Sequence, residues 1–294
     1  MPLDIVNRLK RRFGEDAFDW ASRTYILDWV TVAFIWALGW YAKYITVTER
    51  DFSIKDPLIH HPHRKNQVSS PFNQFIAVVA PSIMIVAVAL IKRSLMDVHH
   101  GLVGILATRG IATVVTRFLK NRIGRLRPDF LSRCKWDKMA QICTGDPKDI
   151  MEGRRSFPSG HSATAFSGMF YLSLFLAGQT AAWCFHANRF PPGFLRSRMQ
   201  RFVIACLPLF WAFHVALSRM EDNRHHKEDV IVGGCIGVLS ALIGYLMFWP
   251  SPFSSSNFDA DATGQPRYIY ESRAPGRGRV EFELAPMDDN TNAV

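Results

Sequence analysis

The chain has 294 residues, of which 48% are hydrophobic and only 20% charged, and its formal net charge is +10. This size and composition fit either one large globular domain or a small multi-pass membrane protein. The positive charge does not indicate a nucleic-acid partner, because the basic residues flank apolar segments without interleaved aromatic residues; a membrane surface and an anionic substrate explain it better.

The N-terminal residues 1–24 are predicted to form a basic tail. Leu3, Val6, Leu9 and Phe13 recur at helical spacing with basic residues between them, which is typical of an amphipathic helix on a membrane surface. A plain solvated leader is the alternative. The first apolar segment follows without a small-residue cleavage site, so we predict a retained signal anchor.

Six apolar segments are candidates to cross a bilayer, which takes about 20 residues each. They are apolar on all faces, and this argues against the buried helices of a soluble domain. We therefore predict an all-α fold, a bundle of six transmembrane helices. The predicted spans, of which the third and fifth are the weakest, are 25–45, 72–91, 101–119, 162–185, 202–218 and 230–249.

Three histidines, His60, His61 and His63, lie in the loop after the first span, beside Pro62. The tract resembles a metal site, and zinc is a minor alternative there.

Arg109 lies inside the third span, where a charge is costly and usually faces the bundle interior. It either supports a pocket from below, on the helix face of Lys120, or has a structural hydrogen-bonding role.

The first polar motif, KNRIGRLRP at residues 120–128, follows the third span. Lys120 and Arg127 are predicted to bind phosphate oxygens, and Gly124 and Pro128 are expected to bend the chain toward a shared pocket. Two further arginines, Arg122 and Arg125, are expected to extend to lipid headgroups.

The five cysteines include no CxxC pair and so indicate neither a disulfide framework nor a zinc site. Cys184, Cys206 and Cys235 lie in or at the ends of spans and are expected to pack there. Cys134 and Cys143 share one polar loop, and we hypothesise that they pair if this loop faces an oxidising lumen.

The second motif, SFPSGHS at residues 156–162, opens the fourth span. Ser159 and Gly160 place a glycine and free backbone N–H groups at a helix start, which suits binding of phosphate oxygens. His161 would then lie beside the bound group with a side chain suited to proton transfer near neutral pH. Alone, this pattern is equally typical of an ordinary helix N-cap.

The third motif, SRMEDNRHHKED at residues 218–229, lies between the last two spans. Asp229 follows His225 by four residues, so both are expected on one helix face, where the carboxylate would orient the imidazole as in a catalytic triad. Arg219 suits bidentate phosphate binding. His226 is expected to point elsewhere. An isolated pair of this kind is more often a surface ion pair.

If six spans are correct, the loops after the first, third and fifth spans share one face, and all three motifs meet on that face. The sequence contains no Gly-rich phosphate loop, no cysteine followed by an arginine at a phosphatase site, and no carboxylate cluster for two metals. We therefore predict a site without metal or cofactor. Lys and Arg are nearly balanced between the two faces, so charge does not settle the orientation.

Residues 251–294 are polar, with serines, Gly-Arg repeats and a final acidic run, and are predicted to be disordered. The predicted organisation is an N-terminal tail at 1–24, one domain of six transmembrane helices at 25–250 and this C-terminal tail.

Taken together, the ordered motifs with Lys120 and Arg127, then Ser159 to His161, then Arg219, His225 and Asp229 resemble the signature of the type 2 phosphatidic acid phosphatase superfamily, in its lipid phosphate phosphatase branch. The segment ERDFSIKDPLIHHP is similar to the first loop of fungal phosphatidate and diacylglycerol pyrophosphate phosphatases. The resemblance covers residues 25–250, and no signature residue is missing.

The resemblance implies a magnesium-independent lipid phosphate phosphatase that acts through a phosphohistidine. His225 would be the nucleophile, Asp229 its orienting partner and His161 the acid that protonates the leaving group. The implied phosphate-binding residues are Lys120, Arg127, Arg219, Ser159 and Gly160.

The implied substrates are phosphatidic acid, lysophosphatidic acid and diacylglycerol pyrophosphate. A phosphatase of sphingoid-base or isoprenyl phosphates is an alternative, as is a non-catalytic protein that binds or moves phospholipid. The family further implies a site on the lumenal or extracellular face of an endomembrane (vacuole, Golgi or endoplasmic reticulum) or of the plasma membrane, with cytosolic termini. The sequence predicts no particular oligomeric state.

Overall fold

The structure, a computed structural model, describes residues 2–14, 18, 21–186, 196–258, 264–267 and 269–270. In this part of the chain nearly all regular structure is helical. The helices are α1 (Pro2–Phe13), α2 (Thr24–Tyr41), α3 (Ser70–Lys92), α4 (Leu95–Ile123), α5 (Phe130–Cys134), α6 (Pro147–Gly153), α7 (Gly160–Thr180), α8 (Arg198–Glu221) and α9 (Lys227–Phe248), and two short strands, β1 (Trp136–Asp137) and β2 (Ile142–Cys143), pair antiparallel.

Five of the described helices are long and apolar enough to cross a membrane: α2 with its 3₁₀ extension to Tyr44, α3, α4, α8 and α9. They correspond to the first, second, third, fifth and sixth predicted spans and define a multi-pass membrane protein of the all-α class. The fourth predicted span, 162–185, corresponds to α7, which ends at Thr180 and is not among the five. The count of six spans therefore stays a prediction.

Helix α7 lies at the centre of the bundle, in contact with α3, α4, α8 and α9. Small residues allow neighbouring backbones to approach it closely. A Cβ atom added at Gly168 would lie 2.1 Å from the carbonyl oxygen of Ala77, and one at Gly233 would lie 2.4 Å from that of Ser159. About half of the residues of α7 are small or carry a hydroxyl group, and most of these are buried.

The outer faces of the bundle expose large apolar side chains, whereas many polar side chains are buried inside. This distribution of side chains fits a protein surrounded by lipid. The helical structure fits it too, because helices satisfy their backbone polar groups internally. Exposed apolar side chains include Val30 and Phe34 on α2, Ile83 on α3, Phe210 and Leu217 on α8 and Ile243 on α9.

All three polar motifs meet at one end of the bundle, as the parity of the predicted spans indicated. Helix α4 ends there at Gly124, which adopts the left-handed conformation with φ 62°. A Cβ atom at this position would lie 1.8 Å from the carbonyl oxygen of Thr48, so glycine is required both for the turn and for the close approach. The predicted bend after Lys120 is therefore located at Gly124.

The segment between α4 and α7 forms a small cap over this end. Helix α5, the β1–β2 hairpin and α6 pack around a cluster that contains Leu126 and Phe130. Cys134 and Cys143 are joined by a disulfide, as hypothesised. The cap thereby receives a covalent link between α5 and the second strand of the hairpin.

Part of the C-terminal tail packs against the opposite end of the bundle. The backbone N–H of Arg267 donates to the carbonyl oxygen of Phe248 (2.9 Å), and the Tyr270 hydroxyl donates to Asp28 Oδ1 (2.9 Å). These two residues make specific contacts with the bundle. The disorder predicted for residues 251–294 stays a prediction, and residues 259–263, 268 and 271–294 of this tail lie outside the described part.

The predicted N-terminal helix forms α1, at Pro2–Phe13, and three of its basic residues, Lys10, Arg11 and Arg12, occupy the last turn. Its location on a membrane surface stays a prediction.

We expect Gly168→Ala to destabilise the bundle, because the new methyl group would overlap the α3 backbone at Ala77. Overpacking of this kind typically costs about 1–3 kcal/mol. The thermal unfolding midpoint in detergent should fall. Gly39→Ala is the matched control, because the nearest atom to its new Cβ would be a side-chain atom at 3.4 Å, which is an ordinary contact distance. Equal midpoints for the two variants would contradict the close α3–α7 packing.

Candidate active site

The fully buried carboxylate of Asp229 lies in the first turn of α9 and joins all three motifs. Its Oδ1 accepts a hydrogen bond from Arg125 Nη1 (2.8 Å). Its Oδ2 accepts from Ser156 Oγ (2.5 Å) and from the backbone N–H of His226 (3.0 Å). The first, second and third motifs therefore each donate to the same side chain.

His225 immediately precedes the N-cap of α9 and is buried. Its Nδ1 lies 3.7 Å from Asp229 Oδ2, which is ion-pair distance and longer than a hydrogen bond. The pair approaches across the helix start and not along a continuous helix face, because α9 begins only at Lys227. Catalytic hydrogen bonds are commonly long in ligand-free sites. The arrangement directs Nδ1 toward the carboxylate.

His226 and Arg125 contradict the expectations drawn from the sequence. His226 does not point away from the site: it is the N-cap of α9, its Nδ1 lies 3.3 Å from Asp229 Oδ2, and it forms a capping box with this aspartate. Arg125 does not extend to lipid headgroups but pairs with Asp229 and Glu228. The buried carboxylate of Asp229 attracts both His226 and Arg125. The spacing of these residues in the sequence did not indicate either contact. Arg122 is exposed.

The second motif places a helix N-terminus beside Asp229. Ser159 is the N-cap of α7: its backbone N–H donates to the Asp229 carbonyl oxygen (2.8 Å), and its Oγ accepts from the Ser162 hydroxyl (3.0 Å). A Cβ atom at Gly160 would lie 3.8 Å from Lys120 Nζ. Glycine therefore leaves space between the helix start and the lysine ammonium group, where a phosphoryl oxygen could bind.

His161 follows this helix start, and its carbonyl oxygen accepts a hydrogen bond from Asn73 Nδ2 (2.9 Å). Its Nε2 is buried without a hydrogen-bond partner among the described residues. Buried polar atoms are usually paired, so an unpaired ring nitrogen next to a cationic site is available for a ligand.

Arg127 lies after the α4 C-cap and is held at its backbone, where its N–H donates to the Gly153 carbonyl oxygen (2.8 Å). Its Nη2 donates to Glu152 Oε1 and to the Arg155 carbonyl oxygen (3.5 Å). Its Nε is buried without a partner among the described residues. The guanidinium group is thus oriented by Glu152 while one donor remains available.

Arg219, in the last turn of α8, is almost fully buried. Its Nη2 donates to Asp222 Oδ2 (3.0 Å) and to Ser218 Oγ (3.0 Å), and its Nη1 donates to Asn66 Oδ1 (3.0 Å). The Gln67 side chain in turn donates to Asp222 Oδ1 (3.0 Å). The hydrogen bonds to Asp222, Ser218 and Asn66 therefore fix the orientation of the Arg219 guanidinium group.

Residues 62–67, in the loop after α2, hold the turn that precedes His225. Asn223 Nδ2 donates to the Pro62 carbonyl oxygen (3.1 Å), and Arg224 Nη2 donates to the Arg64 carbonyl oxygen (2.7 Å). This first loop therefore has a positioning role that its sequence did not reveal.

The electrostatic balance of the site is cationic. Burial alone would raise the pKa of Glu152, but Arg127 and Lys120 outweigh burial and hold this pKa below its ordinary value. Burial holds the pKa of His225 well below its ordinary value, against the opposing effect of the Asp229 carboxylate, and Arg127 and Lys120 lower it further. The lowered pKa favours the neutral form of the His225 imidazole at physiological pH.

The remaining sequence alternatives are resolved by contacts. Arg109 Nη1 donates to Ser167 Oγ (2.7 Å) and Nη2 to Thr164 Oγ1 (3.1 Å), so it has the structural hydrogen-bonding role between α4 and α7. His63 contacts Asp129 through Nδ1 (2.7 Å), and the described residues contain no group of three or more His, Cys, Asp or Glu side chains placed to hold a metal ion.

Several residues of the site were not predicted from the sequence. They are Glu152, Asn66 and Asp222, with Arg125, Ser156 and His226. Asp222 follows Arg219 by three residues, a helical pairing distance that could have indicated it. Glu152 and Asn66 reach the site only through the folding of the cap and of the first loop.

The fold and site define a helical membrane protein with a histidine–aspartate pair facing a cationic pocket. Residues 101–252, just over half of the chain, match the PAP2 superfamily, and the chain belongs to this family. It is 32% identical to lipid phosphate phosphatase 2 of Arabidopsis thaliana, over 76% of this chain and 74% of that protein. It is also 32% identical to diacylglycerol pyrophosphate phosphatase 1 of Saccharomyces cerevisiae, over 82% of this chain and 85% of that protein. No solved structure matches the chain.

Lys120→Met is expected to move the acid limb of the pH profile for kcat/KM to higher pH. Loss of this cation raises the pKa of His225, so the imidazole becomes protonated, and inactive as a nucleophile, at a higher pH than in the wild type. Substrate ionisation is the same for both enzymes and cancels in the comparison. Arg122→Met, on the exposed face of α4, should leave the limb in place. An unmoved limb in Lys120→Met would contradict the coupling.

Glu152→Gln should strengthen inhibition by inorganic phosphate, because it removes a competing anion from Arg127 and adds net positive charge to the pocket. The carboxylate is 45% exposed, so we expect a modest fall in the inhibition constant, about 2- to 5-fold. Asp149→Asn, an exposed change on the same helix α6, is the matched control. Weaker inhibition in Glu152→Gln would show that Glu152 supports the pocket instead of competing for it.

Proposed function

We propose that this protein is a lipid phosphate phosphatase that hydrolyses phosphatidic acid, lysophosphatidic acid or diacylglycerol pyrophosphate in the membrane. The observation that carries the proposal is the position of buried His225, with Asp229 behind it and the cations Lys120 and Arg127 acting on it, at one end of an apolar helical bundle. Family membership and the names of the relatives support the same reaction class.

In the proposed reaction, His225 Nε2 attacks phosphorus, a P–N bond forms and the bond to the leaving oxygen breaks. Asp229 stabilises the positive charge that develops on the imidazole. His161 gives its proton to the departing alkoxide or phosphate oxygen. The negative charge of the bound phosphoryl group favours the protonated form of His161 before this transfer.

A water molecule then gives a proton to His161 and attacks phosphorus, the P–N bond breaks, and inorganic phosphate is released. The second step restores neutral His225 and protonated His161, so the cycle closes without a change in oxidation state.

The phosphoryl oxygens are proposed to bind Lys120, Arg127 and Arg219 together with the helix start at Ser159 and Gly160. Preorganised donors of this kind stabilise charge that develops in the transition state. Fixed arginine and lysine charges supply what metal ions supply in other phosphatases, so we expect turnover without a divalent metal.

The site is proposed to face the lumen of an endomembrane compartment or the cell exterior, with the termini in the cytosol. The Cys134–Cys143 disulfide in the cap supports this orientation, since disulfides persist in oxidising compartments. The lipid phosphate would enter laterally at headgroup depth while its acyl chains stay in the bilayer.

We expect the purified protein to release phosphate from lipid phosphates in detergent with excess EDTA, and His225→Ala to lose about 10³-fold or more of this activity. A panel with phosphatidate, lysophosphatidate, diacylglycerol pyrophosphate, sphingosine phosphate and farnesyl pyrophosphate identifies the substrate class. His214→Ala, an exposed histidine change on α8, is the matched control. Full activity in His225→Ala would reject the mechanism.

The intermediate can be tested directly. After mixing with ³²P-labelled lipid phosphate and an alkaline quench, the wild-type protein should retain acid-labile label and His225→Ala none. Retention of label by His225→Ala would assign the nucleophile to another residue.

A further inference from the structure

The carboxylate of Asp229 receives more hydrogen bonds than it needs to orient the His225 imidazole. It is 0% exposed, and both of its oxygens accept hydrogen bonds from side chains or backbone of other segments. The donor to Oδ1 is Arg125 (2.8 Å), whereas the donors to Oδ2 are Ser156 Oγ (2.5 Å) and the His226 N–H (3.0 Å).

These donors come from three separate segments. Arg125 follows the α4 C-cap, Ser156 precedes α7, and His226 caps α9. The Ser156 backbone N–H also donates to the Arg125 carbonyl oxygen (2.9 Å), so the two side-chain donors are tied to each other. The carboxylate plane is therefore set by the packing of three helix ends and not by the rotamer preference of one aspartate.

Arg125 is itself anchored at its outer side. Its Nη2 donates to Glu228 Oε2 (3.2 Å), while Nη1 contacts Asp229, so one guanidinium group bridges two successive acidic residues of α9. Its side chain is 30% exposed and that of Asp229 is 0% exposed. Arg125 is therefore the partly exposed member of its ion pair with the buried Asp229.

We propose that Arg125 and Ser156 are positioning residues of the reaction: they fix the Asp229 carboxylate so that Oδ2 faces His225 Nδ1, and Arg125 also balances the Asp229 charge. Neither touches the phosphoryl group. The inference rests on the proposed function and adds two residues with distinct roles. Arg125 acts by charge and geometry, whereas Ser156 acts by geometry alone.

The charged groups that act directly on His225 are Asp229 on α9, Lys120 on α4 and Arg127 in the segment after α4. Arg125 acts on His225 through its ion pair with Asp229. Removing the Arg125 charge leaves Asp229 less compensated, and the imidazolium form of His225 then becomes more favourable. Removing the neutral Ser156 hydroxyl changes geometry without changing net charge. The two variants therefore differ in their pH profiles.

The test compares Arg125→Met, Arg125→Lys, Ser156→Ala and the control Arg122→Met, an exposed cation on the last turn of α4, in metal-free detergent assays. We expect Arg125→Met to lower kcat about 10- to 100-fold with KM within about 2-fold, as for loss of a supporting contact. The acid limb should move to higher pH. Arg125→Lys should restore the limb but only part of kcat, since lysine retains the charge without the bidentate fork.

Ser156→Ala should lower kcat about 10-fold, as expected for one hydrogen bond to a charged group, with the acid limb unmoved. Wild-type activity with EDTA and its loss in His225→Ala, measured alongside, test the proposed function separately. Wild-type-like kcat in Arg125→Met, or equal changes of kcat and KM in both variants, would overturn the inference. If Arg125→Met does not fold, as judged by its thermal midpoint, then Arg125→Lys and Ser156→Ala decide: unchanged kcat in both overturns it.

Discussion

The structure of the site depends on one buried charge, the carboxylate of Asp229. Leaving such a charge without a partner typically costs about 3–5 kcal/mol, so the surrounding segments are constrained to supply donors. The start of α9 supplies backbone N–H groups and the favourable end of its helix dipole. Arg125 and Ser156 supply the rest, and this brings the ends of α4, α7 and α9 together. The same constraint fixes where His225 lies.

The bundle behind the site makes this convergence possible because its helices approach closely. Gly168 against Ala77 and Gly233 against Ser159 allow backbone contact that larger residues would prevent. With little hydrophobic driving force between helices in lipid, close packing and hydrogen bonds such as those of Arg109 take that role. The central helix α7 therefore carries many small and hydroxyl residues.

Most of the helices and the meeting of the three motifs follow from sequence, since long apolar runs and their parity depend on local composition. The disulfide followed from the shared loop of Cys134 and Cys143. Arg125 and His226 were misassigned because each has an ordinary explanation in isolation, and only the buried carboxylate shows why they turn inward. Glu152 could not be inferred at all, because the cap that carries it folds through tertiary contacts.

Two carboxylates of the site, Asp229 and Glu152, differ in how permanently each is paired. Asp229 is buried and receives donors on both oxygens, so a ligand cannot displace its partners without breaking the contacts among three helix ends. Glu152 is 45% exposed and pairs with Arg127 from the short helix α6. Under the proposed function, an incoming phosphoryl group, with more charge and more acceptor oxygens, would replace Glu152 at Arg127 but not Asp229 at Arg125. Two arginines of the same motif, two residues apart, would then have opposite roles, because Arg127 would exchange its anion during binding and Arg125 would keep its own.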